Sequence, residues 1–266
     1  MRALALVFVV GCSSTPVVER APPLPITRPR VVAHRGASHD APENTLAAFT
    51  RAWALGVECV ELDVHVTRDG EVVVMHDANT KRITGHDGAI ADQTLAALKM
   101  LDAGRGERIP TIGEAIATVP RGRTLFVELK SPIATVPAVA KAIRDADPAA
   151  RGATIALQGF DPDALAAFSR ALPDAPAYWT VDPGMDAQEH FLPYPLEIVD
   201  EAKRRGFAGI ALLYVSVTDE LLAEARGVGL EVDVWTINDP APLAIAMART
   251  DLRWIETDRP DLVAPR

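Results

Sequence analysis

The chain has 266 residues and a formal net charge of −9, with 48% hydrophobic residues and a mean hydropathy of +0.10. Such apolar content supports a sizeable core and excludes bulk disorder, and the acidic balance argues against nucleic acid as a partner, because phosphate backbones select basic surfaces. A small anionic substrate stays open, since a bound metal or a few placed cations reverse the local field, and two cysteines, Cys12 and Cys59, imply neither a disulfide framework nor a thiolate metal site.

The N-terminal MRALALVFVVGCSS has one early Arg, a short apolar run and small residues before a Cys, the pattern of an export signal. Val9-Val10-Gly11-Cys12 resembles a bacterial lipobox, so residues 1–11 are expected to be a lipoprotein signal peptide and Cys12 the lipidated residue. An ordinary signal peptide, a mis-set start or an apolar terminal strand is the alternative. The run is too short to span a bilayer, which takes about 20 residues. Residues 12–30 are Pro-rich and patternless, as in a tether. The expected location is the bacterial cell envelope, lipid-anchored on the periplasmic or extracellular face.

From residue 31 to 266 one domain is expected. β-rich runs at 31–35, 57–64, 124–130, 153–158, 175–181, 208–214, 230–237 and 253–258 alternate with Ala-rich amphipathic stretches such as NTLAAFTRAWALG, TVPAVAKAIRDA, DPDALAAFSRAL, TDELLAEARGVG and DPAPLAIAMART. Such alternation argues for parallel strands joined by crossover helices. Eight strands fit a (β/α)8 TIM barrel; an open doubly wound sheet is the alternative, but no Gly-rich phosphate loop follows the first strand. One run breaks the pattern. Asp69-Gly70 lies between β-prone runs in HVTRDGEVVVMHD and signals a β-hairpin after the second strand. A turn centred there places Asp63 and His76 opposite each other.

Strand periodicity separates side chains by face. In VECVELDV, Glu61 and Asp63 share the face opposite Val60, Leu62 and Val64; in TLFVELK, Glu128 and Lys130 oppose Val127 and Leu129. The outer face of a barrel packs on helices, so the charged faces should point inward, near the C-terminal strand ends where barrels carry their sites. Three buried carboxylates need a positive partner, and all-oxygen ligation suggests a divalent cation, Mg²⁺ or Ca²⁺. Taken singly, each feature has a plainer reading: an edge strand's solvent face for Glu61 and Asp63, a surface ion pair for Glu128 and Lys130, structural roles for His34 and His76. Together they compose a phosphodiester site, with one imidazole accepting a proton, the other assisting the leaving oxygen, and Arg35 and Lys130 neutralising the phosphoryl charge.

With these landmarks in place, residues 31–263 resemble the glycerophosphodiester phosphodiesterase family. The resemblance rests on His34-Arg35-Gly36, Pro42-Glu43-Asn44-Thr45, Glu61-Leu62-Asp63-Val64, Thr67-Arg68-Asp69-Gly70, His76-Asp77, TLAALKMLDAG, IPTIGEA, Val127-Glu128-Leu129-Lys130, Val234-Trp235-Thr236 with Asn238, and Thr257-Asp258 with Pro260. It implies a cation at Glu61, Asp63 and Glu128, acid–base catalysis by His34 and His76, and a phosphate grip by Arg35 and Lys130. It places Glu43 at the site rim, where a plainer role is to complement a helix dipole. It also implies that Trp235 lines the substrate pocket, where a core role is equally ordinary. The implied reaction cleaves a glycerophosphodiester to glycerol 3-phosphate and an alcohol, through a cyclic phosphate when a glycerol hydroxyl attacks first. No protein partner is implied.

Two departures bear on substrate. Gly159 stands before Phe160 where many members carry Ser, and the stretch between His76 and Glu128 lacks a long insertion, so a more open cleft is expected. Free glycerophosphodiesters, lysophospholipids in a phospholipase D-like reaction, and glycerol phosphate polymers all remain candidates, as does a non-catalytic lipoprotein that binds phosphoryl ligands. His39, His65, His86 and His190 are read as solvated or structural.

Overall fold

Among residues 28–263, which the computed structural model describes, nine strands form one sheet. They are β1 (Arg30–Ala33), β2 (Cys59–Val66), β3 (Val72–Val74), β4 (Thr124–Leu129), β5 (Thr154–Gly159), β6 (Ala177–Val181), β7 (Gly209–Leu213), β8 (Glu231–Trp235) and β9 (Trp254–Thr257). Their spatial order is β1-β9-β8-β7-β6-β5-β4-β2-β3, and β1 also pairs with β2, so all strands but β3 close into a parallel barrel. The expected (β/α)8 barrel is what forms. Residues 1–11, expected to be a signal peptide, with Cys12 and most of the expected tether, lie outside the described residues.

Helices begin where side-chain oxygens satisfy free backbone N–H groups. Thr45 caps Leu46–Ala54, Asp161 caps Pro162–Ala171, and Thr218 caps Asp219–Gly227. Thr111 and Glu114 form a reciprocal capping box at Ile112–Ala117. That helix and Glu197–Arg204 add to the expected set. Ile112–Ala117 is less than two turns, too short to show a period, whereas Glu197–Arg204 buries Ile198, Val199 and Ala202 on one face within a run where five of eight residues are charged, which masks the helical spacing. Among the described residues no helix is long and apolar enough to cross a membrane.

The two faces of the barrel strands have separate cores. Outward residues such as Val60, Leu62, Leu125, Val127, Leu157, Ile210, Val232 and Ile255 join the helices in one large apolar cluster. Inward, Val32, Cys59, Phe126, Ala156, Tyr178 and Trp254 fill the barrel floor. Three rings interlock there, with Phe126 5.2 Å from Tyr178 and 5.1 Å from Trp254 between centroids. Gly209 makes this packing feasible: a Cβ there would sit 2.3 Å from the Glu231 carbonyl and 2.8 Å from the Tyr178 ring.

The hairpin corrects one expectation. Val64 pairs with Val74, His65 with Val73 and Val66 with Val72. Thr67 N–H donates to the Glu71 carbonyl and Gly70 takes φ +82°, so the loop has three residues, Arg68-Asp69-Gly70, closed by a left-handed glycine. The turn is therefore centred on Asp69, and Asp63 faces Met75 rather than His76; Met75 N–H donates to the Asp63 carbonyl at 3.0 Å. A one-residue change in register exchanges the faces of a strand. Met75 joins Val73, Ile90, Leu98, Ala103 and Ile109 in a separate small cluster built by the stretch after the hairpin. His76 reaches the barrel mouth because it lies beyond the last ladder pair.

Candidate active site

The site is the inward face of the same strands, one step further toward their C-terminal ends. Two residues beyond the apolar floor, β1 leads to His34, and Cys59 is followed by Glu61 and Asp63. In the same way Phe126 is followed by Glu128 and Lys130, Ala156 by Gln158, Tyr178 by Thr180, and Trp254 by Glu256 and Asp258. Alternation alone thus stacks a polar layer on an apolar one.

Glu61, Asp63 and Glu128 converge, each offering an oxygen within 4.8 Å of the others, and all three are buried. Asp63 and Glu128 are register partners on β2 and β4. Glu61 Oε2 accepts the Arg35 backbone N–H at 2.9 Å, while its Oε1 is buried with no hydrogen-bond partner among the described residues. Asn44 clamps Asp63 from both ends of its amide, Nδ2 donating to Oδ2 at 2.8 Å and Oδ1 accepting the Asp63 N–H at 3.3 Å. An orphaned buried oxygen and an all-oxygen donor set fit a hard divalent cation.

Lys130 and Arg35 lie against these carboxylates. Lys130 Nζ is 2.7 Å from Glu128 and 3.3 Å from Asp63, and Arg35 Nε is 3.5 Å from Asp63. Burial pushes Glu61 well above the carboxylate range, reinforced by Asp63 and Glu256. Burial also takes Glu128 up to about 7 against the pull of Lys130. Asp63 goes the other way: it is equally buried, but Lys130 and Arg35 outweigh desolvation and hold it below its ordinary value.

Both histidines border this cleft, which has a volume of about 120 Å³. Each is oriented through Nδ1, His34 by Asp258 at 2.8 Å and His76 by Asp77 at 2.7 Å, and Nε2 of each has no hydrogen-bond partner among the described residues. Burial lowers the His34 pKa, but Asp258 and Glu256 overcome it and leave it raised; His76 stays lowered, burial outweighing Asp63 and Asp77. Asp258 is drawn down to about 2 despite burial by its bond to His34, and Asn238 holds its other oxygen at 2.6 Å. Arg82 ties the rim together, bonding Asp77 at 2.6 Å and Glu43 at 2.8 and 3.0 Å, and Glu43 in turn takes Arg35 Nη1 at 3.1 Å. Glu43 thus serves a charge network, while Thr45 caps the helix. Trp235 lines the cleft edge-on to Phe160, centroids 6.3 Å apart.

Several residues without an expected role belong to this arrangement: Asn44, Asp77, Arg82, Asp258, and the buried group of Gln158, Asp233 and Glu256. Alternation in LEVDVWTI and RWIETD carries the signal for the last two, since Asp233 shares a face with Trp235, and Glu256 with Trp254. One ring nitrogen of His34 and one oxygen each of Glu61 and Glu256 also lie within 4.8 Å of one another. His65 is structural: its Nε2 lies 3.0 Å from the His76 carbonyl.

A profile of the glycerophosphoryl diester phosphodiesterase family matches residues 34–262. A glycerophosphodiester phosphodiesterase from Caldanaerobacter subterraneus is 44% identical over 117 residues, covering 41% of this chain and 48% of that protein. The chain thus spans about half the length of the curated relatives it matches. Among solved structures, an Oleispira antarctica phosphodiesterase in complex with the product sn-glycerol-3-phosphate superposes with a TM-score of 0.77 at 28% identity, covering 90% of this chain and 98% of that one. A glycerophosphodiester phosphodiesterase from Thermotoga maritima gives 0.70 at 27% identity, covering 88% and 96%.

Proposed function

Because the chain belongs to the glycerophosphoryl diester phosphodiesterase family, we propose that it hydrolyses glycerophosphodiesters to glycerol 3-phosphate and an alcohol, with a divalent cation and two histidines. The observation that carries this reading is the convergence of Glu61, Asp63 and Glu128 within 4.8 Å beside a cleft that both His34 and His76 border.

The three carboxylates would hold the cation, Mg²⁺ or Ca²⁺ by the hardness of the donor set. When bound, it supplies Lewis-acid polarisation of a phosphoryl oxygen. Arg35 and Lys130, arrayed on the carboxylates, turn a net negative pocket toward neutrality and present N–H groups to the remaining phosphoryl oxygens. His76, whose imidazole burial keeps neutral, takes the proton of the attacking hydroxyl at Nε2. His34, whose imidazolium Asp258 favours, gives a proton from Nε2 to the departing oxygen. Environments that push two titratable groups apart in this way separate base from acid. With the attacking hydroxyl drawn from the glycerol, these two transfers give the cyclic phosphate and the free alcohol. Water then adds to phosphorus, His34 taking its proton and His76 returning one to the glycerol oxygen, which yields glycerol 3-phosphate and restores both rings.

The deciding experiment measures glycerol 3-phosphate release from glycerophosphocholine with Mg²⁺, Ca²⁺ or EDTA, with His76→Ala as control. Metal-dependent release that the substitution abolishes is expected. Release insensitive to EDTA, or intact in His76→Ala, refutes the mechanism. Choline release from lysophosphatidylcholine alone would move the assignment to the phospholipase D-like reaction.

On the sequence of residues 9–12 we further place the protein at the bacterial cell envelope, anchored by a lipid on Cys12. Metabolic labelling with palmitate should mark the wild type and miss Cys12→Ala; equal labelling refutes the anchor.

A further inference from the structure

The carboxylates lie at the mouth of the barrel, and the opposite end, where the strands begin, carries a surplus of the other sign. Arg28 precedes β1 and Arg30 opens it, Arg121 and Arg123 lead into β4, and Arg144 and Arg151 lie on the approach to β5. All are exposed except Arg123, which is half-buried. Backbone bonds zip these segments side by side. Thr124 N–H donates to the Glu58 carbonyl at 3.2 Å, Gly122 N–H to the Gly152 carbonyl at 2.8 Å, and Thr154 N–H to the Arg123 carbonyl at 3.0 Å. Arg28 joins them through its 2.7 Å bond to Glu58, and Arg121 lies over Gly152, where a Cβ would meet its Nη1 at 2.8 Å. The arginines form one continuous arc.

Little on that end neutralises it. On the loops and helix ends leading into β2, β4, β5 and β6, Glu58 is matched by Arg28 and Asp145 by Lys141. That leaves Asp147, which accepts the Ala150 N–H, and Asp174 against Arg30, Arg121, Arg123, Arg144 and Arg151, none of which has a salt bridge among the described residues. Two of the five have plainer roles: Arg144 donates to the Ala171 carbonyl at a helix end, and Arg30 covers the Trp254 ring, 5.5 Å from its centroid. Arg121, Arg123 and Arg151 stand on loops with no such partner. In a chain of net charge −9, a local excess of cations this large marks a surface for an anion.

The chain indicates which anion. Arg28 lies on this end, so the residues before it leave from the arc and not from the mouth. Sixteen residues separate Arg28 from Cys12, a reach of at most about 55 Å, and the envelope reading above puts a lipid on Cys12. Guanidinium groups pair well with phosphate oxygens, and an anionic bilayer attracts cations held within a Debye length of it.

We propose that the arginine arc is a docking surface for an anionic phospholipid bilayer, holding the barrel floor to the membrane and the mouth to the aqueous phase. The choice of a lipid surface rests on the envelope reading, and the test separates the arc from the anchor.

Binding is measured on the full chain carrying Cys12→Ala, which removes the anchor and keeps the arc. The vesicles are phosphatidylglycerol mixed with phosphatidylcholine, or phosphatidylcholine alone. The protein should sediment with the mixed vesicles far better than with the neutral ones, and release as sodium chloride is raised. One cation near an anionic surface strengthens binding about fivefold. Arg121→Gln, Arg123→Gln and Arg151→Gln combined should therefore weaken it about 100-fold, with thermal stability unchanged. The same change of charge on the mouth side, Arg68→Gln with Lys81→Gln and Arg105→Gln, should alter it by no more than about threefold. Equal losses in the two triple variants, equal binding to both kinds of vesicle, or no binding to the mixed vesicles overturns the docking surface. Binding to DNA without binding to the mixed vesicles overturns it too. Failure of palmitate to label the wild type would remove the anchor and leave these vesicle readings to decide the arc.

Discussion

Asp258 holds Nδ1 of His34 at 2.8 Å across 224 residues of chain, joining the last barrel strand to the first. The bond has opposite effects on its partners, drawing Asp258 down to about 2 and leaving His34 raised.

The pair should therefore stabilise the fold over a window of pH. A carboxyl depressed in the folded state contributes above its unfolded value, near 4, and loses that contribution as pH falls toward 2. A raised imidazole contributes below its unfolded value and loses it as pH rises through the folded one. The stability gap between wild type and Asp258→Asn should be widest near pH 5 and shrink toward both pH 2 and pH 9, read by urea unfolding in EDTA. A gap constant with pH would refute this coupling.

Arg82 is half exposed yet links Asp77 to Glu43. Exposed ion pairs contribute about 0–1 kcal/mol, so Arg82→Ala should change stability by no more than that. Release of Asp77 should nonetheless loosen the ring of His76 and lower kcat about tenfold, with KM little changed and Arg82→Lys partly restoring the rate. A uniform loss of stability and activity would mark Arg82 as a structural residue only.

Glu61→Gln removes a ligand oxygen from the carboxylate group and at the same time an acid whose charge is strongly disfavoured by burial. The two consequences separate experimentally. Cation affinity, measured by calorimetry, should fall about 100-fold or more, whereas thermal stability in EDTA should hold or rise at pH 8. Unchanged metal binding would exclude Glu61 from the ligand set.

Gly209→Ala brings a methyl group to 2.3 Å from the Glu231 carbonyl and into the Tyr178 ring. Overpacking of this kind costs about 1–3 kcal/mol or more, which for a domain of this size lowers Tm by at least about 2–4 °C per kcal/mol. A melting temperature equal to wild type would show that β7 and β8 separate readily.

Most of the barrel was legible because its strands carry an unbroken alternation and its crossover helices are long enough to show a period. The charged faces of VECVELDV and TLFVELK could be placed for the same reason. The hairpin register was not, since Asp69-Gly70 reads equally as a two-residue loop or as the end of a three-residue one; only the Thr67–Glu71 bond decides. Glu256 and Asp233 escaped for a different reason. Acids in a short strand, Glu231 and Asp233 in β8 or Glu256 in β9, look like solvent-facing residues until the sheet is known to close and leave that face no solvent. The ion-pair chain through Arg82 joins residues from separate loops, a relation that no periodicity encodes.

The polar layer rests on Phe126, Tyr178 and Trp254 one two-residue step along the strand, about 7 Å of rise. Those rings act as a stopper as well as a core. All three are buried, so among the described residues the open side of the carboxylate layer is the cleft at the mouth. A hole opened in the stopper, as by Phe126→Ala, would let solvent wet the acidic ring from beneath and soften the field around His34, His76 and the carboxylates, without touching any of them. The vessel is sealed at the bottom, and its chemistry depends on the seal.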